Sequence, residues 1–225
     1  MSTLTDDFLL TRGNLGHGVY SLKDLRAFVA LDGGKRKEGE RVPDWLASAL
    51  NPVPHERWRP DYSFSDLISL FVVRELRRKG HLPRAIRDAE AWLRDKWKVD
   101  RPFRSDEIRS DGVNIFDGDE PIPGQIEAAD LHGQQTMREM VKDRLESVSY
   151  SEGRAAYWVP MEHVLVDPRV QFGEPVIAGT RLSTDAVADA ASNFGQQGTA
   201  QRFGIPADAV RAARDFERRR AAAVA

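Results

Sequence analysis

The chain is predicted to be mainly α-helical with small β elements, and three observations predict it. Phe64, Leu67, Ile68, Phe71, Val72 and Leu76 recur at the spacing of one helix face. Ala200, Gly204 and Val210 stand in the order small-x3-Gly-x5-Val, which lets two helices approach closely about a left-handed turn. Between these regions, β-prone runs at 146–151 and 155–159 flank the turn Ser151-Glu152-Gly153, a hairpin signal.

The elements follow in order. Residues 1–19 read as a loose lead-in with Gly13, Gly16 and Gly18; the spacing GNLGHG does not match the phosphate-binding GxGxxG. Tyr20-Ser21-Leu22-Lys23-Asp24-Leu25 opens a helix, with Ser21 as cap, Asp24 as its reciprocal partner, and Leu22, Leu25, Ala27 and Phe28 as the buried stripe. It stops before Asp32-Gly33-Gly34, and a charged loop from Lys35 to Arg41 follows. Pro43 opens a short helix to Leu50, ended by Asn51-Pro52-Val53-Pro54. Tyr62-Ser63-Phe64-Ser65-Asp66-Leu67 repeats the first capping signature, read as convergent capping rather than an internal repeat. Gly80 closes the long helix that follows, and Pro83 starts another with Ile86, Ala89, Leu93 and Trp97 on one side. Residues 111–118 read as a short strand. A helix is expected from Ile126 to Glu146 with Met137, Met140, Val141, Leu145 and Val148 along one face. Pro160 to Pro168 reads as a connector and the main domain boundary, followed by a helix from Thr184 to Phe194 and the Ala200/Gly204/Val210 pair.

The totals bound the function. At 225 residues, with 41% hydrophobic and 30% charged residues, the chain suits one or two soluble domains. Five Trp and ten Phe supply bulk for a core. The absence of Cys excludes disulfides, Cys-ligated zinc and thiol nucleophiles, and it fits a reducing compartment. The longest apolar run, Leu67 to Val73, is far below a membrane span, and the first residues carry Asp where an export signal would be basic. A soluble cytoplasmic protein is expected. Net charge is −2, but from Arg74 to Arg104 eleven Lys/Arg stand against five Asp/Glu, and from Ser105 to Glu146 four stand against eleven. Such a split suits a chain that meets nucleic acid on one side and a basic partner on the other, and equally two solvated helix faces.

No catalytic pattern emerges. The five His, at 17, 55, 81, 132 and 163, form no helical ligand pair. GxSxG and GxxxxGK are both missing. The chain is therefore expected to be no enzyme, with no cofactor, metal or small-molecule substrate.

Two resemblances have residues to rest on. From Tyr20 to Trp97 the order of elements resembles the MerR-type winged helix-turn-helix, carried by Arg59, Tyr62, Ser63, Leu76, Arg77, Gly80, Leu82 and Ile86. It departs from that family in a longer, KRKEGER-bearing loop and in a presumed reading helix, PDWLASAL, without Arg, Lys or Gln for base edges. From Val166 to Phe216 the chain is similar to a small family of antitoxin-like domains, carried by Asp167, Pro168, Gly173, Pro175, Ile177, Gly179, Thr180 and Arg181. Joined, the two halves resemble VapB-type antitoxins, the partners of PIN-domain-like VapC ribonuclease toxins. The resemblance implies a winged helix-turn-helix at 20–104, a linking helix and strands at 105–160, and a helix-turn-helix domain preceded by a β-hairpin at 161–225. It implies an antitoxin that neutralises a PIN-domain-like toxin and binds its own operator DNA as autorepressor. A homodimer is expected through the apolar stripe of the 126–146 helix or through the C-terminal unit, stripes that equally suit a core.

Because such toxins hold metal with clustered carboxylates, Arg181 and the run Arg214, Arg218, Arg219 and Arg220 are candidates for contact with that acidic pocket. The same run also suits a solvated helix end favourable to the helix dipole. The residues selected for DNA phosphates are Lys35, Arg36, Lys37 and Arg41 in the loop, Arg57, Arg59 and Tyr62 in the wing, and Arg202, Arg211 and Arg214 in the C-terminal unit. Two alternatives stand beside this reading: a stand-alone MerR-like transcriptional regulator, and a protein-binding adaptor that never touches DNA.

Overall fold

The computed structural model describes residues 20–32, 62–110, 115–123 and 139–223. Among them are five α-helices and two four-stranded antiparallel sheets, a mixed α/β architecture. The helices are α1 (Leu22–Asp32), α2 (Phe64–Arg78), α3 (Pro83–Trp97), α4 (Thr184–Phe203) and α5 (Ala207–Ala222). The first sheet has the order β3-β2-β1-β4, from β1 (Ile108–Ser110), β2 (Ile115–Asp117), β3 (Glu120–Pro121) and β4 (Glu139–Met140). The second has the order β5-β6-β7-β8, from β5 (Val148–Ser151), β6 (Arg154–Met161), β7 (Val164–Val166) and β8 (Val176–Ile177).

Helix α2 is the axis of the larger core. Its Ser63 cap accepts from Asp66 N–H at 3.2 Å, and the Asp66 carboxylate accepts from Ser63 N–H at 2.7 Å. Every residue from Phe64 to Leu76 is buried. The amphipathic pattern understated this, because Ser65, Ser69 and the turn around Arg74 also lie inside. Their polar groups are satisfied there: Ser69 Oγ donates to Ser65 C=O at 2.8 Å, and Arg74 reaches Val29 C=O at 3.0 Å and Glu75 at 2.9 Å. Asp66 and Glu90, both buried, share the guanidinium of Arg101. Phe71 meets Trp158 of β6 at 5.2 Å between ring centroids, and Trp158 meets Phe28 of α1 at 5.4 Å, so the rings join α1, α2 and the second sheet.

The two YS-x-x-DL stretches lie side by side. Tyr20 N–H donates to Tyr62 C=O at 3.1 Å and Tyr62 N–H to Tyr20 C=O at 2.8 Å, an antiparallel bridge. Each stretch then caps its own helix through the same Ser–Asp reciprocity, Ser21–Asp24 for α1 and Ser63–Asp66 for α2. The likeness therefore has a pairwise use that local capping does not explain.

Three sequence expectations are corrected. The helix expected from Ile126 to Glu146 is, over its described part, the short strand β4, a 3-10 turn (Val141–Arg144) and the approach to β5. Val141, Leu145 and Val148 are buried as expected, but from turn and strand, because a short apolar run fits either period. The connector expected from Pro160 to Pro168 holds the end of β6 and all of β7, and the boundary at 160/161 falls inside β6. β7 pairs both β6 and β8, so one sheet runs continuously from Val148 to Ile177. The helix expected from Thr184 to Phe194 continues to Phe203 across a break at Gly195 (φ 71, ψ 171), a conformation open to glycine. The expected short helix at 43–50 and the loop before it lie outside the described residues.

Candidate functional site

Two surfaces can be built from the C-terminal unit: an outward basic helix face, and a seam where this unit meets the rest of the chain.

The basic face belongs to α5. Gly204 takes the left-handed conformation expected of it (φ 66) and turns α4 into α5. Ala200, Ile205, Ala209, Val210 and Ala213 are buried together in a small core with Val187 and Ala191. Their small size lets α4 and α5 pack closely. The opposite side of α5 carries Arg211, Arg214 and Arg218, all exposed and three or four residues apart. Arg211 pairs with Asp208 at 2.9 Å and Arg218 with Asp215 at 2.8 Å, each an exposed i,i+3 contact of little energetic weight. Arg214 and Arg219 form no ion pair among the described residues. Arg202 stands over the half-exposed ring of Phe194 at 4.8 Å.

The remaining site candidates divide. Lys35, Arg36, Lys37, Arg41, Arg57 and Arg59 lie outside the described residues. Tyr62 is half-buried and packs on the larger core. Arg220 is drawn inward: its guanidinium binds Asp24 of α1, lies 3.4 Å from Glu217, and sits over the Phe28 ring at 5.3 Å. Arg181 is exposed without an ion pair among the described residues, and its carbonyl accepts from Gln171 Nε2 at 3.1 Å.

The seam is where the C-terminal unit meets α1. Tyr20 Oη donates to Gly173 C=O, and a Cβ on Gly173 would come within 2.6 Å of that hydroxyl at a left-handed φ of 97, so the position favours glycine on both counts. Burial, foremost, pushes the Tyr20 hydroxyl far above its ordinary range, with the Asp24 charge adding to the effect. Thr184 Oγ1 donates to Glu217 and bridges α4 to α5. Burial alone would raise the Asp24 pKa; hydrogen bonds from Ser21 and Arg220 overcome it and hold the carboxyl below its ordinary 3.8. Between these contacts lies a cavity of about 360 Å³. The buried Tyr20, Phe28 and Pro175 lie at its base, and its accessible lining is polar: Glu174, Asp185 and Glu217 ring it with carboxylates around Arg220.

Beside the cavity the backbone makes an unusual display. Gln171 (φ 48), Phe172 (φ 57) and Gly173 (φ 97) are all left-handed in sequence. Each non-glycine residue there costs about 1–2 kcal/mol. Phe172 is 77% exposed, the most exposed large apolar side chain among the described residues. Sequence reasoning missed Phe172, because nothing in its spacing marks it as surface. It read Asp24 as a capping carboxylate but not as the partner of Arg220, and it missed Glu217 and Phe216. Phe216 does carry a signal, since it continues the buried period of Ala209, Val210 and Ala213.

The charge split also changes meaning. Lys96 of the basic block pairs with Asp117 at 2.7 Å and Glu120 at 3.1 Å of the acidic block, and Lys79 donates to Ser110 C=O at 3.1 Å. Part of the segregated charge is thus spent between the two blocks inside the chain.

Among the described residues no group of three or more His, Asp or Glu is placed to hold a metal ion. No helix among them is long and apolar enough to cross a membrane.

No known family model matches the chain, and no curated protein is similar enough in sequence to be counted a relative. Among solved structures it is similar to the crystal structure of Rv2018 from Mycobacterium tuberculosis. Identity is 17% and the TM-score 0.56, over 87% of this chain and 96% of that one. At that identity the likeness concerns the fold alone.

Proposed function

We propose that this chain is the antidote half of a type II toxin–antitoxin pair, a homodimer that binds its own operator DNA and neutralises a PIN-domain-like toxin. One observation carries the reading. Helix α5 follows a Gly204 turn, buries Ala209, Val210, Ala213 and Phe216 on one side, and turns Arg211, Arg214 and Arg218 to solvent on the other. That is the arrangement a recognition helix needs to lie along phosphates, with α4 as its support. Asp208 and Asp215 stand among these cations, so neutralisation of phosphates must outcompete two exposed ion pairs; such pairs are weak enough to be exchanged. The MerR-like reading of residues 20–104 and the toxin-binding role of Arg181 belong to the same proposal and rest on the resemblances in their residues.

The test is binding of the full chain to the DNA upstream of its own reading frame across a salt series. Affinity should fall steeply with salt, and Arg214→Ala should weaken binding and reduce the slope by about one. Affinity indifferent to salt and to Arg214→Ala would favour a protein-binding adaptor, for which the Asp208–Arg211 and Asp215–Arg218 pairs are simply a solvated helix surface. Co-expression with the adjacent reading frame tests the antidote role: a nuclease neighbour whose toxicity this chain suppresses is the expected result.

A further inference from the structure

We infer that Arg104, with Arg154 and Arg169 beside it, forms a binding site for a small oxyanion of the phosphate class, where the turn after α3 meets the β5–β6 hairpin. Arg104 ends a 3-10 turn (Pro102–Arg104) and is only 7% exposed. Its Nε donates to Ala155 C=O at 2.9 Å, which anchors one edge of the guanidinium. Its two terminal nitrogens have no hydrogen-bond partner, and no ion-paired carboxylate, among the described residues. Neither is sealed from solvent, so a compact ligand has access to them. Other arginines withdrawn into this core are treated differently: Arg74 binds Glu75 at 2.9 Å, and Arg101 is shared by Asp66 and Glu90. A buried cation without a counter-charge costs more than a paired one, and arginine does not shed its proton to escape that cost. Water would satisfy the free N–H groups but would leave the charge uncompensated.

The surroundings are cationic. Ser105 pairs with Arg154 as an isolated antiparallel bridge, and Asp106 N–H donates to Gly153 C=O at 3.1 Å, so the hairpin brings Arg154 against the Arg104 turn. Arg169 stands in the turn after β7, with its guanidinium on Asp167 at 2.7 Å. Burial, foremost, and then the charges of Arg154 and Arg169 push the Arg104 guanidinium down to about 10, still fully charged at neutral pH. No carboxylate offsets them: Asp167 is engaged by Arg169, and Asp106 by Lys142 at 3.0 Å. The free edge of Arg104 is a fork of two nitrogens that matches two oxygens of one ligand. Burial admits a compact group only, and the added charges of Arg154 and Arg169 favour a multiply charged one, which selects phosphate over a carboxylate.

The inference is independent of the proposed function. Titration of the full chain with inorganic phosphate, against chloride at matched ionic strength and followed by NMR of the backbone amides, tests it. Saturable shifts are expected at residues 103–106 and 153–155, with the amides of α5 unmoved. Phosphate should also raise the melting temperature of the unaltered chain. Arg104→Met should weaken phosphate binding at least about tenfold and remove that rise. Arg154→Gln should weaken binding to a lesser extent, and Arg211→Ala, on the exposed face of α5, should leave it unchanged. Acetate should bind more weakly than phosphate. Adenosine monophosphate distinguishes the sources of the group: tighter binding than inorganic phosphate assigns the site to a nucleotide, and equal or weaker binding assigns it to the free anion. If Arg104→Met does not fold, the amide shifts of the unaltered chain decide alone. Absence of saturable shifts at residues 103–106, or shifts of equal size along α5, overturns the inference. So does a folded Arg104→Met that keeps the affinity. None of these outcomes bears on operator or toxin binding.

Discussion

The two buried clusters of this chain are built from different materials. The larger core, around α2 and the sheets, is filled by rings: Tyr20, Phe28, Phe64, Phe71, Phe103 and Trp158 are all buried. The smaller, between α4 and α5, holds buried Ala191, Ala200, Ala209 and Ala213 with Ile177, Val187, Ile205 and Val210 for buried bulk, and half-buried Leu182 and Phe203 pack against it. Alanine lets helices approach closely but removes little apolar area from water, and hydrophobic stabilisation scales with that area. The smaller unit makes up the difference by sharing an element. Helix α5 packs Val210 and Ala213 into its own cluster and, one turn on, Phe216 into the larger one, against Phe28 at 6.1 Å. A short alanine-rich pair of helices can thus be held firmly while its outer face stays free.

This comparison can be broken or sharpened by substitution, and the largest effect should come at the shared element. Phe216→Ala is expected to cost about 3–5 kcal/mol. Trp92, Trp97 and Trp158 all lie in or against the larger core, so their fluorescence reports that region. If α5 couples the two, denaturant midpoints from fluorescence and from hydrogen exchange of α4 should fall together; a shift confined to α4 would show two independent units.

Next in size is Gly173→Ala, where the new methyl meets the Tyr20 hydroxyl and the backbone is left-handed. A loss of about 2–3 kcal/mol is expected, and combination with Tyr20→Phe should recover part of it by removing the obstructing oxygen. Gly204→Ala, with φ 66 but open space around it, should cost only about 1 kcal/mol. Equal losses at the two glycines would mean that the seam contact has no steric weight.

The Asp24–Arg220 tie is a smaller, pH-dependent link. Asp24→Asn is expected to cost about 1–2 kcal/mol at neutral pH. Because the folded carboxyl titrates below its ordinary 3.8, its contribution is fully present above that value and is lost as pH falls through the folded pKa. The stability difference between the natural chain and Asp24→Asn should be flat from about pH 5 to 8 and shrink below about pH 4. A difference unchanged down to pH 3 would contradict the tie. Smallest of all, Arg214→Ala should alter stability by no more than about 0.5 kcal/mol, so any change it makes in DNA binding can be read as a change at the interface.

Local chemistry was legible wherever a residue acts on its immediate neighbours. Ser63 and Asp66 cap α2, Pro83 opens α3, Gly204 turns α4 into α5, and Ser151-Glu152-Gly153 sits at the β5–β6 turn, as their residue types require. Helix stripes were legible too, since Leu25, Phe71 and Val210 each recur with a period. The run from Met140 to Val148 was misread because a few apolar residues at mixed spacing fit a helix and a turn–strand equally well, and only pairing of Glu139 and Met140 with β1 decides between them.

By itself, the sequence determined the capped helices, the turns and the absence of thiol chemistry, because each depends on residues a few positions apart. Tertiary structure alone decided that Tyr20 and Tyr62 pair, that Arg220 turns inward to Asp24 while Arg214 stays in water, and that Phe172 is displayed rather than buried. Those outcomes join residues up to 196 positions apart. Whether a cation or a ring is spent inside the molecule depends on which carboxylate or cavity the fold brings to it, and no local pattern encodes that.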